Sequence, residues 1–354
     1  MGLILQIFGA AFLLLIGLLF FGILFLRYKL KRFARFIEES AAELAKAGAP
    51  SPARIHLRRL AAPDWADPEA VEAQSGPLPE LGFSHAGDYQ IEEVPGLSLA
   101  GWVNAKTGVF AVVYEHPQAG VWTDVVTRYV DGTRITYANT LQGSGVEHSP
   151  GHDVQRFDGI GVKDLYEKHL AARPDKPIVP PSADEFVARF EKAYADEMDW
   201  RNSRGGATEQ EIRQIALQQG RTLDEDEVRA LRSAAESRAM EQLAEAVRER
   251  FLEETRMPAR EWEDVRDRVV VVHDRMSPDY FEEMLSDLSD DEEDLPEIDG
   301  SPGSSPRNAF ARYNAALEPD RRYRKLGTVT APVEADVYAA PEYADDDEED
   351  EDDD

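Results

Sequence analysis

Along the chain the apolar positions follow three different rhythms. From Leu3 to Leu26 they are almost unbroken, 24 residues with Gln6 as the one polar side chain and no charge. Wound as a helix, this stretch spans roughly 36 Å, enough to cross a hydrocarbon core of ~30 Å. A cleaved signal peptide carries its basic residues ahead of a shorter apolar run. Here they follow it, as Arg27, Lys29, Lys31, Arg32 and Arg35. A core helix of a soluble domain keeps a polar face. The pattern therefore predicts a transmembrane helix over 3–26 and a basic juxtamembrane helix over 27–47, whose five cations sit at the membrane surface of the lipid bilayer. Positive flanks stay on the cytoplasmic side. The expectation is a single-pass protein of the cell (inner) membrane with its C-terminal domain in the cytoplasm.

The second rhythm is a period of two. Tyr89–Val94, Leu97–Asn104, Val109–His116, Val121–Val130 and Arg134–Thr140 are rich in β-branched and aromatic residues and are separated by short turns, among them Asp131-Gly132. Such turns join antiparallel neighbours, so the spacing predicts a five-stranded meander within 81–160. One face carries Phe110, Val112, Tyr114, Trp122 and Val126, and the other Val109, Ala111, Val113, Val121, Val125 and Tyr129. Two apolar faces call for cover on both sides.

The third rhythm supplies the cover. Over 161–288 the apolar residues recur at helical spacing: Val162–Ala172, then Phe186, Phe190, Tyr194 and Met198, then Ile212 and Ile215, then a long, coiled-coil-like run from Val228 to Phe251. Ser182 with Glu185, Thr208 with Glu211, and Thr222 with Glu225 have the spacing of capping boxes. Residues 260–275 fit either element: Val269–Val272 suits a strand, whereas Trp262, Val265, Val269 and Val272 at helical spacing behind Pro258 favour a helix. The fold class expected is α+β, a sheet packed against several helices.

Proline and charge set the remaining boundaries. Six prolines between Pro50 and Pro79 predict an extended tether over 48–80, with a short ordered piece near Ile55–Leu60. The formal net charge is -30. Ten acidic residues lie in Glu282–Asp299 and ten more in Asp345–Asp354, so 289–354 is expected to be a disordered acidic tail. Such a charge argues against nucleic acid as a partner and suits a basic protein surface. Cysteine is absent, which removes thiolate chemistry.

Motifs for phosphate, dinucleotide and zinc-protease chemistry are missing, and nothing calls for a cofactor. Candidate chemistry is confined to the Gly-rich stretch Leu141–Lys163. There His148, His152 and Asp153, with His116 at a strand end, offer ligands for a divalent metal. Arg201 and Arg204, beside Trp200, are candidate contacts for an acidic ligand. The reading is a non-catalytic, membrane-anchored interaction or scaffold protein. Its alternative is a membrane-tethered enzyme or ligand or metal sensor that uses loop 141–163. The residue pattern does not give an oligomeric state.

Overall fold

The computed structural model describes residues 51–288 and 305–341, apart from Gln118, Gln142 and Gln219. The chain divides at Pro52 into two compact units, and everything below concerns the second. No helix among the described residues is long and apolar enough to cross a membrane. The stretch 3–26 and the cations Arg27 to Arg35 lie outside the described residues.

The architecture is a mixed α+β fold with a seven-stranded sheet. Its strands run in sequence order: β1 (Leu57–Leu60), β2 (Ser84–Ile91), β3 (Ser98–Asn104), β4 (Val109–His116), β5 (Gly120–Arg128), β6 (Arg134–Ala138) and β7 (His152–Arg156). All neighbours are antiparallel except β6 and β7, which are parallel. The expected meander is therefore its central part. It gains β1 on one edge and, on the other, a strand hidden inside the Gly/His loop, and its first expected strand, Tyr89–Val94, begins earlier, as β2. A parallel return needs a long connection rather than a hairpin, and residues 139–151 provide it.

Both faces are covered. Helices α1 (Pro68–Ser75) and α2 (Val162–Ala172) bring Val71, Leu165 and Tyr166 onto Val109, Ala111, Val113 and Val125. On the other face α3 (Phe186–Ser203) lays Phe186, Phe190 and Tyr194 against Phe110, Val112 and Tyr114. Phe186 is stacked between the Tyr89 and Phe190 rings, at 5.7 and 5.9 Å. It fits there because Gly101 has no side chain: a Cβ at that position would come within 2.5 Å of the ring. The chain expected to be a tether over 48–80 holds β1 where the short ordered piece was expected, but it also holds α1, and from it Ile55, Val71 and Leu78 are buried. Its prolines punctuate folded structure, with Pro68 opening α1.

Helices α4 (Glu209–Gln218) and α5 (Glu225–Thr255) lead to a second sheet of three strands. Its order is β8 (Val269–His273), β10 (Ala335–Ala339), β9 (Arg324–Val329), all antiparallel. Within 260–275 the helical expectation holds only for α6 (Ala259–Val265); after one 3-10 turn the valines form β8. The strand wins because both of its faces are buried. Val269 and Val271 face Leu243, Val247 and Phe251 of α5, and Val270 and Val272 face α7 (Pro278–Leu288) and α8 (Pro306–Ala316). The segment expected to be a disordered tail thus supplies α8, β9 and β10, and the fold extends to residue 341. Within it Tyr323 is buried and Lys325 pairs with Asp336 at 2.8 Å. Of the two acidic runs, Glu282, Glu283 and Asp287 belong to α7, and the remainder, within 289–304 and 342–354, lies outside the described residues.

Two of the three capping boxes differ from expectation. Thr208 and Glu211 form theirs. The box of α5 is two residues later, at Asp224 and Glu227, because the chain enters the helix only after Leu223. At α3 no side chain caps the start, which follows Glu185.

Candidate functional site

The sheet face under α3 changes character from one edge to the other. On β4 it presents Phe110, Val112 and Tyr114. On β5 the same face continues as Trp122, Asp124, Val126 and Arg128, on β6 as Arg134 and Thr136, and on β7 as His152, Val154 and Arg156. Register puts Asp124 level with Ala138 and Arg156, and Arg128 level with Arg134 and His152. Above it, α3 points Phe186, Arg189, Phe190, Ala193, Tyr194 and Glu197 downward, residues three and four apart that share one helix face. Between the layers lies a cavity of about 250 Å³.

At one end of the cavity a single carboxylate gathers five donors. Glu197 Oε1 accepts from His148 Nδ1 at 3.0 Å and from the Ser149 amide at 3.0 Å. Its Oε2 accepts from Ser149 Oγ at 2.7 Å, from His152 Nδ1 at 3.1 Å and from the Arg134 guanidinium. His152 Nε2 meets Thr136 Oγ1 at 3.0 Å. Burial would raise the Glu197 carboxyl, but the hydrogen bonds from His148, His152 and Ser149 outweigh it and hold the group well below the usual carboxylate range. Burial lowers His152, against the pull of Glu197. Loop 145–151 is thereby fastened to α3.

The opposite end is built differently. Tyr114 lines it there, stacked on Trp122 at 4.9 Å. Asp124 faces in from β5 with Oδ1 buried and without a hydrogen-bond partner among the described residues. Burial pushes its carboxyl up to about 7, even though Arg156 and the Tyr114 hydroxyl oppose the shift. Burial lowers Arg156 in turn. Its guanidinium lies beside Gly143, where a Cβ would come within 3.2 Å.

No family model, no curated protein and no solved structure matches the chain. The site therefore has to be read from its own chemistry.

Of the expected metal ligands the structure brings together His148 and His152, and it adds Glu197, with ligand atoms all within 4.8 Å of one another. His116 lies at the opposite end of the strands, by the β4–β5 turn. Asp153 alternates onto the other face of β7. Neither belongs to the cluster. The donor set suits a late first-row metal, but the carboxylate is already shared among two imidazoles, a hydroxyl, an amide and a guanidinium. A divalent ion there would sit against the Arg134 charge. Hydrogen bonding alone satisfies the cluster.

Arg201 and Arg204 already have an acid. Arg204 holds Glu211 through both oxygens, at 2.7 and 2.8 Å, and also holds Glu147, while its guanidinium stacks 4.5 Å above Trp200. Arg201 is 3.9 Å from the same Glu211. The pair locks loop to helix rather than offering charge to a ligand. The residues that line the cavity's polar parts, Asp124, Arg128, Arg134, Arg156 and Glu197, were not singled out from the sequence. Their signal was present in β5, where Asp124 and Arg128 interrupt the Trp122–Val126 alternation at positions that must face the core.

Proposed function

We propose that the chain is a membrane-anchored ligand-binding module, with the cavity between α3 and strands β4–β7 as its binding site. The observation that carries this reading is the cavity itself, which has aromatic walls and a few convergent polar groups, one of them a buried carboxylate oxygen with no hydrogen-bond partner among the described residues. Ligand sites share that composition. It favours the sensor alternative over a scaffold without a ligand. Thr136, His152 and Glu197 do line up as hydroxyl, imidazole and carboxylate, but the same carboxylate is tied to Arg134, His148 and Ser149, which suits a structural lock, so the reading is binding rather than turnover. Anchoring by residues 3–26 would hold the module at the inner face of the cell membrane, with the acidic runs free to meet a basic protein surface.

Both halves are testable. A Ser301→Cys substitution gives the chain its one thiol. A membrane-impermeant maleimide is expected to label it only after the cells are lysed; labelling of intact cells would reverse the orientation. For the cavity, the full chain in lipid nanodiscs is expected to bind 2-naphthoate saturably. Ala193→Phe, which places a ring in the cavity, should weaken that binding at least tenfold. Equal affinity in the two proteins would remove the cavity as the site.

A further inference from the structure

The charges around the cavity do not cancel. Arg134 is paired with Glu197. Arg189 is paired with Glu185, at the start of α3. Arg156 has Asp124 as its neighbouring acid. Arg128 is left: among the described residues its side chain has no hydrogen bond and no ion pair, although it lines the cavity beside two further cations. Burial lowers the Arg128 guanidinium, and the neighbouring Arg134 and Arg189 charges add to that, with Asp196 opposing. A half-buried guanidinium that makes no ion pair of its own among the described residues has lost hydration that a bound anion would offset.

We propose that the cavity takes a small apolar monocarboxylate whose acid group docks on Arg128. This deepens the ligand-binding reading and rests on it. A guanidinium fork matches a carboxylate with two parallel hydrogen bonds, and one uncompensated cation calls for one negative charge. The ligand's apolar body lies over Val126, Val112 and Phe110, under Phe186 and Phe190. Arg128 and Asp124 are four residues apart on one strand face, about 13 Å at ~3.3 Å per residue. A ligand that reaches the far end meets Asp124 Oδ1, which suits a hydroxyl or amide there.

The test uses the full chain in lipid nanodiscs and two probes of the same shape, 2-naphthoate and the neutral 2-naphthamide. The wild type is expected to bind the carboxylate at least tenfold more tightly than the amide. Arg128→Met should bind both with the affinity the wild type has for the amide. Arg128→Lys should keep part of the preference, since charge remains and the fork is lost. Loss of a half-buried charge that makes no ion pair among the described residues should leave Arg128→Met at least as resistant to urea as the wild type, so that weak binding is not misfolding. Equal wild-type affinities for the two probes would overturn the acid seat while the cavity stood. Failure of the wild type to bind either probe would overturn the ligand-binding reading as well. An undiminished carboxylate preference in Arg128→Met would place the acid group elsewhere.

Discussion

Glu197→Ala is expected to destabilise the fold by about 3–5 kcal/mol, the range for removing one partner of a buried ion pair. The substitution does more than lose one contact. It leaves Arg134, His148, His152 and both donors of Ser149 facing a site that has no acceptor. The Arg134 side chain is only 12% exposed and that of His152 14%, so water cannot freely replace the carboxylate. Lys192→Ala is the contrast. Its pair with Asp196 is an exposed contact one helical turn apart, worth at most about 0.5 kcal/mol. Urea unfolding of the two variants checks both values. A loss below about 1 kcal/mol for Glu197→Ala would mean that the five-donor cluster does not fasten α3 to the sheet. A chelator is expected to leave the wild-type midpoint where it was, because both carboxylate oxygens of Glu197 are already occupied by hydrogen bonds.

Acid is expected to begin destabilising the protein below about pH 6.5, before its surface carboxylates titrate. His169 and His273 are fully buried. His169 Nε2 meets Thr127 Oγ1 at 2.8 Å, and among the described residues its Nδ1 and both nitrogens of His273 have no hydrogen-bond partner. Burial lowers His169 from its ordinary 6.5 to about 3, with Arg173 adding to the shift, and lowers His273 to about 4. The unfolded chain takes up both protons below about pH 6.5 while the folded chain refuses them. Stability that is complete above that pH is therefore lost as pH falls toward 4. Each histidine contributes ~1.4 kcal/mol per unit. Asp124 acts the other way: it holds a proton in the folded state up to about 7 and offsets one of the two. The net expectation is a loss of roughly 3 kcal/mol between pH 6.5 and 4. Urea midpoints measured across that range give the slope, and His273→Leu should flatten it. A midpoint independent of pH would show that these imidazoles are not held neutral by the fold.

How far the fold could be read ahead differs from element to element. The two-sided pattern of β4 and β5 was legible, because residue alternation alone decides which side chains share a face, and the two core clusters divide along it. The α3 stripe was legible for the same reason. The run Val269–Val272 was not. A strand buried on both faces loses its alternation and then reads equally well as a helix, and only its position between α5 and the pair α7 and α8 decides. The segments 53–80 and 305–341 were misjudged because proline and acidic charge report local stiffness and solvation, whereas these segments are held by distant partners, such as Leu78 in the first core and Phe310 in the last. Half of the Glu197 cluster was visible as His148 and His152. The carboxylate that joins them comes from a helix some 45 residues further along, and no spacing rule relates the two.

The most direct test of the ligand-binding reading is to ask what the cavity holds in the cell. The full-length protein and its Ala193→Phe variant would be purified side by side from their native cells, denatured, and the released small molecules compared by mass spectrometry. An apolar monocarboxylate released in near-stoichiometric amount from the wild type and missing from the variant is the expected result. Identical small-molecule profiles from the two proteins would contradict the account.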